Sequence, residues 1–491
     1  MVEPIQAKNG TFVVIDLRNW PNLGGTTGES AAPRLIAELP DEAIKQYNLQ
    51  ARLSITQRSW LAFCIMALLV THSLCWSGFE RASLGKYSTA GLSWMFCRSK
   101  IYWSLLLQMS VLVILRNYGI RAGILALDDT DKRRSKSTKN LAHVHKLKDK
   151  ATGGFFMGQC IVFLVLITEK ITIPVGFAFY EPDPVLSRWN KNEKKLKAQG
   201  VPKKERPPKP QRNPSYLTKE QIALHLLEQF KENHAFIKVK CILADALYGT
   251  SAFVEKASSM FDSVQVISQL RSNQKIRFQG KKYKLEEYFS KFPGTPQSIK
   301  IRGREQQLAT IGSARLHVEA HGKKRFVIAL KYDGEEHYRF LVASDLSWRT
   351  IDIVQAYSFR WLVEVFFQDW KTYEGFGEST KQWSEEGSGR GLILSLLADH
   401  CLMLHPTQKA RLENKLPAYT VGSLTRQLKL DALVGVIEQI LDSDNPQQQL
   451  KHLTKRLKTE QFTLKVSKKH MVGRSLGRLE PTPSLKYRAA A

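Results

Sequence analysis

The sequence predicts an α/β protein: a mixed core sheet, interrupted by a β-rich insertion, with helical regions at both ends. Three observations carry this. Apolar runs at 123–130, 158–168 and 171–180 follow one another, and a helical pattern at 218–234 then leads into another apolar run at 239–245. Residues 271–344 alternate between apolar and basic side chains, as in Lys275-Ile-Arg-Phe-Gln and Ser298-Ile-Lys-Ile-Arg. Residues 51–118 and 392–404 carry long apolar stretches with helical spacing.

Residues 1–50 contain a polar run with Gly24-Gly25 and Thr26-Thr27 and read as weakly structured. Residues 51–118 read as helices around an aromatic interior. Two stretches there, 60–76 and 101–115, approach bilayer length. The first begins just after Arg58 and holds Thr71, His72 and Ser73, and the second holds Gln108, so both read as buried helices and no membrane partner is expected. The 123–130 run ends in Asp128-Asp129-Thr130, a carboxylate at the end of a buried strand. A basic loop follows, with Arg134, Lys136, His145 and Lys146, up to a turn at Gly153-Gly154. Residues 158–168 are almost continuously apolar, the pattern of a strand buried on both faces. Pro174 marks 171–180 as an edge or bulged strand. Short turns between these strands predict an antiparallel meander.

Residues 181–215 are rich in Lys and Pro and read as an excursion, mobile when free; a solvated spacer and a DNA-tracking arm remain equal alternatives. Thr218 and Gln221 form a capping box for 218–234. The 239–245 strand ends in Asp245, a helix spans 252–260, and a strand spans 264–270. One helix is expected from near 350 past 371, another over 392–404, then helices and a basic tail over 405–491. Gly387 and Gly389 read as turns, Trp348 and Trp383 as core. The domain organisation is therefore 1–118 (helical), 119–270 (first core part), 271–345 (insertion), 346–404 (second core part) and 405–491 (helical).

Lys and Arg number 73 against 45 Asp and Glu, a formal charge of +28. Such an excess favours a polyanion, above all nucleic acid, because each neutralised phosphate releases counterions. The six cysteines form no CxxC pair, which argues against a usual zinc site or disulfide framework and fits a reducing cytoplasm.

The chemistry centres on Asp129, Asp245 and Glu364. Two end strands, where α/β sheets place ligands. The third lies on a helix on which Tyr357, Arg360, Glu364 and Lys371 share an arc of roughly 60°. Phe359, Leu362, Val363, Phe366 and Trp370 fall on the other side. Three strands, a helix, a strand and a later glutamate-bearing helix is the order of a ribonuclease H-like fold. Neighbouring carboxylates need a cation, and oxygen ligands suit Mg²⁺. Two such ions about 4 Å apart can activate one oxygen and stabilise another at phosphorus. Arg360 and Lys371 would hold phosphates, with Tyr357 stacking or hydrogen bonding beside them. Asp131, Asp149 and Asp369 read as solvated or paired. His143 and His145 would share one face of an extended segment and could bind a metal, but His145 and Lys146 read rather as phosphate or backbone contacts.

The spacing Tyr357-x2-Arg360-x3-Glu364-x6-Lys371 resembles the signature of bacterial insertion-sequence DDE transposases, in the cut-and-paste group that forms hairpin ends. Asp128-Asp129-Thr130, Asp245-Ala-Leu-Tyr248 and the β-rich insertion are shared features, and the resemblance covers about 120–400. It implies catalytic and metal-binding roles for Asp129, Asp245 and Glu364, and two Mg²⁺ ions, replaceable by Mn²⁺. It implies DNA contacts by Tyr357, Arg360, Lys371, Arg134, Lys136, His145 and Lys146. Terminal inverted repeats and target DNA would be the partners, with a homodimer in the synaptic complex of a bacterial, nucleoid-associated protein. Residues 1–118 would recognise element ends and 405–491 support dimerisation. Asp128 and Asp129 compete for the first position, because alternation points only one inward; position before Thr130 favours Asp129. The alternatives are a related nuclease without strand transfer and a non-enzymatic DNA-binding derivative.

Overall fold

The computed structural model describes residues 53–83, 86–134, 138, 140–149, 151–301, 304–377 and 384–458. The expectations for residues 1–50, Lys136, Trp383 and the basic tail fall outside them.

The described strands are β1 (Ala122–Arg133), β2 (His145–Lys148), β3 (Phe155–Ile167), β4 (Thr172–Tyr180), β5 (Lys238–Ala244), β6 (Gln265–Leu270), β7 (Lys275–Phe278), β8 (Lys281–Lys284), β9 (Thr295–Ile301), β10 (Arg304–Val318), β11 (Lys323–Tyr332) and β12 (Arg339–Ala343). The helices are α1 (Ile55–Thr71), α2 (Trp76–Ala82), α3 (Thr89–Arg98), α4 (Trp103–Asn117), α5 (Pro184–Ala198), α6 (Lys219–Asn233), α7 (Ser251–Met260), α8 (Leu285–Lys291), α9 (Thr350–Ser358), α10 (Trp361–Tyr373), α11 (Ser384–Met403), α12 (Pro406–Glu413), α13 (Val421–Leu441) and α14 (Pro446–Arg456).

The strands form one mixed sheet in the order β2-β3-β1-β5-β6-β12-β11-β10-β7-β8, with β4 on β3 and β9 on β10. β1, β5 and β6 run parallel, while β1, β3 and β4 form the antiparallel meander. Every residue of β3 from 158 to 167 is buried. Burial on both faces holds this strand, each large apolar side chain contributing about 1.5–3 kcal/mol. β4 shifts register opposite Pro174, as a proline without an N–H demands. The insertion is not a separate layer: β12 pairs with β6, so its strands extend the core sheet.

The aromatic interior of α1–α4 is built on Trp60, Trp76, Phe96 and Trp103, whose rings touch in sequence. Ser54 and Gln57 cap α1 reciprocally. These helices share the core with the sheet, and α11 packs on α1 and α4. No single described helix is long and apolar enough to cross a membrane. Two pairs, α1 with α2 and α3 with α4, reach that length and composition only together, across bends of 93° and 90°.

Several expectations need correction. The basic loop contains β2, which pairs with β3. The excursion is not without regular structure: Asp183 accepts from the amides of Val185 and Leu186 and starts α5, with Pro184 in its first turn. Gly387 and Gly389 lie inside α11, where Gly387 is buried, rather than in turns. The expected long helix is two. Tight bonds from Arg360 N–H to the Tyr357 carbonyl (3.1 Å) and from Leu362 N–H to the Phe359 carbonyl (2.9 Å) break it between α9 and α10. No Pro or Gly marks this break. It turns Phe359 outward, 40% exposed, while Val363, Phe366, Phe367 and Trp370 go into the core.

Candidate carboxylate site

Alternation along β1 divides its acids between the two faces of the sheet. Asp128 sits opposite Phe163 of β3, whose ring packs on Phe366, Phe367 and Trp370 of α10. Asp129 sits opposite Val162 and faces α6 instead, where Lys219 Nζ lies 2.7 Å from its carboxylate. The structure thus separates the two candidates: Asp128 shares Arg360 with Glu364, and Asp129 is paired with Lys219.

Asp245 reaches the same place through strand register. Leu127 of β1 pairs with Ala244 of β5, so the next residues, Asp128 and Asp245, lie side by side at the carboxyl ends of parallel strands. Asp245 starts a 3-10 turn, Ala246–Tyr248, and accepts from the Ala246 amide. Ser268 Oγ donates to its carbonyl at 2.7 Å. Gly249 ends the turn because a Cβ there would lie 2.2 Å from the Gln269 carbonyl oxygen.

Arg360 links the acids. Its guanidinium contacts the Asp128 carboxylate and donates to Glu364 Oε1 at 2.7 Å. Burial raises the Asp128 carboxyl to about 6, with Asp245 and Asp129 adding to the rise and Arg360 opposing it. Burial also works against the Arg360 charge, but Tyr357, Asp128, Glu364 and Asp245 around it hold its pKa above the usual value. Tyr357 is buried beside Arg360 and Asp245, and burial pushes its phenol upward. Its hydroxyl lacks a hydrogen bond of sound geometry, although Gln269 is adjacent. Lys371 contacts Thr130 Oγ1 and the Asp131 carbonyl, so it joins the Asp128 face two residues along β1. A cleft of about 790 Å³ opens here between α9, α10 and the insertion, lined by Tyr357, Arg360, Glu364, Gln269 and Arg339.

Two sets of donors could be asked to hold a divalent ion. Among the described residues, Asp129, Asp131 and Cys160 place ligand atoms within 4.8 Å of one another. In that set burial pushes the Cys160 thiol up and Lys219 compensates Asp129. Asp128, Asp245 and Glu364 offer only oxygen, the donor that Mg²⁺ prefers, and the Arg360 guanidinium occupies the place of their compensating charge. Among the described residues these three do not reach the 4.8 Å spacing of the first set; Arg360 bridges Asp128 and Glu364, and an ion would have to take its place.

The remaining expected DNA contacts are not gathered here. Arg134 turns inward, donating twice to Gln159 Oε1 at 2.8 and 2.6 Å, and burial lowers it to about 10. His145 Nδ1 bonds the His143 carbonyl at 3.0 Å, and burial lowers its pKa. Lys146 lies over the Phe155 ring at an exposed edge. His143 stacks on Phe179 and pairs with Glu181. Trp348 packs against the core. Asp149 pairs with Arg133, Asp369 is half-buried with its carboxyl raised by burial, and Asp131 has one buried oxygen without a partner. Lys219 was missed because its role depends on α6 packing on β3 and β4, which no local pattern signals.

Comparison with known families adds an independent finding. Residues 98–326 match the family described as DDE superfamily endonuclease. The DDE match includes Asp128, Asp129 and Asp245 and ends before Glu364. The large mixed sheet with helices is consistent with a DDE nuclease fold. No curated protein matches. Among solved structures, a cryo-EM piggyBac transposase synaptic complex with hairpin DNA aligns over 86% of this chain and 82% of that one, at 9% identity and a TM-score of 0.42.

Proposed function

We propose that this chain is a divalent-metal-dependent DNA transposase with a ribonuclease H-like core, which cuts DNA strands at element ends and joins the freed 3′-hydroxyl to target DNA. The observation that carries the reading is that Asp128 and Asp245 end adjacent parallel strands and that Arg360 ties Asp128 to Glu364. The DDE endonuclease match over residues 98–326 supports the nuclease class. Hairpin ends, inverted repeats, a homodimer and a bacterial cytoplasmic setting belong to the same proposal.

Asp128, Asp245 and Glu364 would hold the metal. Bound ions supply an activated attacking oxygen and a stabilised leaving oxygen at phosphorus. The chain's own residues do the rest. Asp128, paired with Arg360, can exchange the guanidinium for a cation. Arg360 can exchange its carboxylates for a phosphate, which its planar fork matches. Lys371, held on Thr130, adds a second positive charge on the same face. Phe163 and the α10 aromatics fix the helix that carries Glu364. In strand transfer one phosphodiester bond forms as another breaks, so no separate energy source is needed.

The deciding experiment compares Asp128→Asn, Asp129→Asn and Glu364→Gln for Mg²⁺-dependent cleavage of duplex DNA carrying the element ends. Asp128→Asn and Glu364→Gln should each lower the rate by about 10³-fold or more, whereas Asp129→Asn keeps it within about tenfold. The reverse ranking would move the site to the Lys219 face. Pre-cut ends that are never joined to target DNA would reduce the assignment to a nuclease.

A further inference from the structure

We infer that residues 184–212 form a preorganised arm that tracks the phosphate backbone of duplex DNA beside the carboxylate site. The inference rests on the reading of the chain as a DNA-acting enzyme and names a surface that does part of that work.

The arm is closed on itself. Asp183, which caps α5, also accepts from the Asn213 amide at 2.9 Å, so one carboxylate ties both ends together. Trp189 Nε1 donates to the Pro207 carbonyl at 3.0 Å, and Arg206 bonds Glu193 at 2.8 Å and the Val201 carbonyl at 2.8 Å. A solvated spacer needs none of these ties.

Helical periodicity sorts the faces of α5. Leu196, Trp189, Glu193 and Leu186 fall within an arc of roughly 80°. Leu186 is buried and the other three are half-buried. The opposite half carries Arg188, Lys191, Lys194 and Lys195, and Lys197 lies at the margin of the inner arc beside Leu186; all five are exposed. None of the five has an ion-pair partner among the described residues. Lys203, Lys204, Lys209 and Arg212 on the returning segment are exposed as well. Between 184 and 212 there are ten Lys and Arg and two acids. Like charges three and four residues apart on one helix repel one another. A polyanion relieves that repulsion and releases its counterions on contact.

Position supports the same partner. The arm leaves β4 after Tyr180, which pairs with Cys160, itself opposite Asp131. Its root is therefore about 10 Å along β1 from Asp128 and about 10 Å across the sheet. The helix adds a straight basic edge of about 22 Å. A duplex whose phosphate enters the carboxylate site would run within reach of it.

The test uses the full chain with Lys191, Lys194, Lys195 and Lys197 each changed to Gln, and a second variant with Lys203→Gln and Lys204→Gln. Duplex binding is titrated from 50 to 200 mM salt. Each lost phosphate contact lowers the log–log slope by about 0.9, so the four-site variant should lose about 2–4 from the slope and at least about tenfold in affinity at 100 mM. The two-site variant should lose less, in the same direction. Unchanged slopes in both would overturn the arm. So would wild-type chain that binds vesicles containing anionic lipid through these lysines but shows no salt-dependent duplex binding. Wild-type cleavage is scored separately: cutting with an unchanged slope sinks only the arm, whereas a lowered slope without cutting supports the arm and sinks the enzyme reading.

Discussion

Arg360 contributes more to the site than a phosphate-binding role requires. It lies between Asp128, which is mostly buried, and Glu364, whose side chain is 42% exposed. Removing it leaves a buried carboxylate without its cation, which is the costly way to break such a pair. Arg360→Ala should destabilise the metal-free protein by about 2–3 kcal/mol, mostly at Asp128, because solvent screens Glu364. Mg²⁺ should then restore more of the melting temperature in the variant than it adds to the wild type, since ion and guanidinium compete for one place. Thermal melts with and without Mg²⁺ check this; equal Mg²⁺ effects in both proteins would deny that competition.

At the scale of elements, α10 is held by rings. Phe163 of β3 contacts Phe366, Phe367 and Trp370, and Trp370 also stacks on Phe376. These contacts fix the axial position of Glu364 over β1. Phe163→Ala should cost about 3–5 kcal/mol and loosen that position. Denaturant melts give the stability, and cleavage at a temperature where the variant is fully folded gives the positional effect. A variant as stable as wild type would show that the rings do not anchor α10. The aromatic run in α10 makes this packing legible in the sequence. The break before Arg360 is not, because its residues are ordinary helix formers and only the packing of α9 and α10 on the sheet forces the tight turn.

Across the whole molecule, the junction of α10 and α11 buries Glu374 beside Asp399. Burial and their mutual proximity raise both carboxyls above the usual range, Asp399 to about 7, so the pair holds protons to higher pH than free acids do. Raised carboxyl values stabilise the fold fully below about pH 4, and that contribution is lost as pH climbs through about 7. His234 and His400 act oppositely: burial lowers each to about 4, so their contribution is present above about pH 6.5 and lost as pH falls toward 4. Between about pH 4 and 6.5 the two effects oppose one another, and above about pH 6.5 only the carboxyl loss remains, so stability should fall toward alkaline pH. In Glu374→Gln/Asp399→Asn the alkaline fall should flatten and the histidine-driven acid fall should emerge. Melting temperatures from pH 4.5 to 8.5 read both limbs, and an unaltered alkaline limb in the double variant would refute the role of the pair.

The sequence by itself determined the strands that end in acids, the capped helix at 218, the basic surplus and the Tyr357, Arg360, Glu364 and Lys371 spacing. These are local properties, written in periodicity, capping residues and charge. Only the tertiary structure decided that Asp128 and not Asp129 faces Glu364, because that choice turns on the register between β1 and β5 and on which helix covers each face. It also decided that 181–215 is a tied arm and that the insertion continues the core sheet. Pairing between distant segments sets those outcomes, and a neighbour that arrives from a hundred residues away leaves no mark on the local pattern.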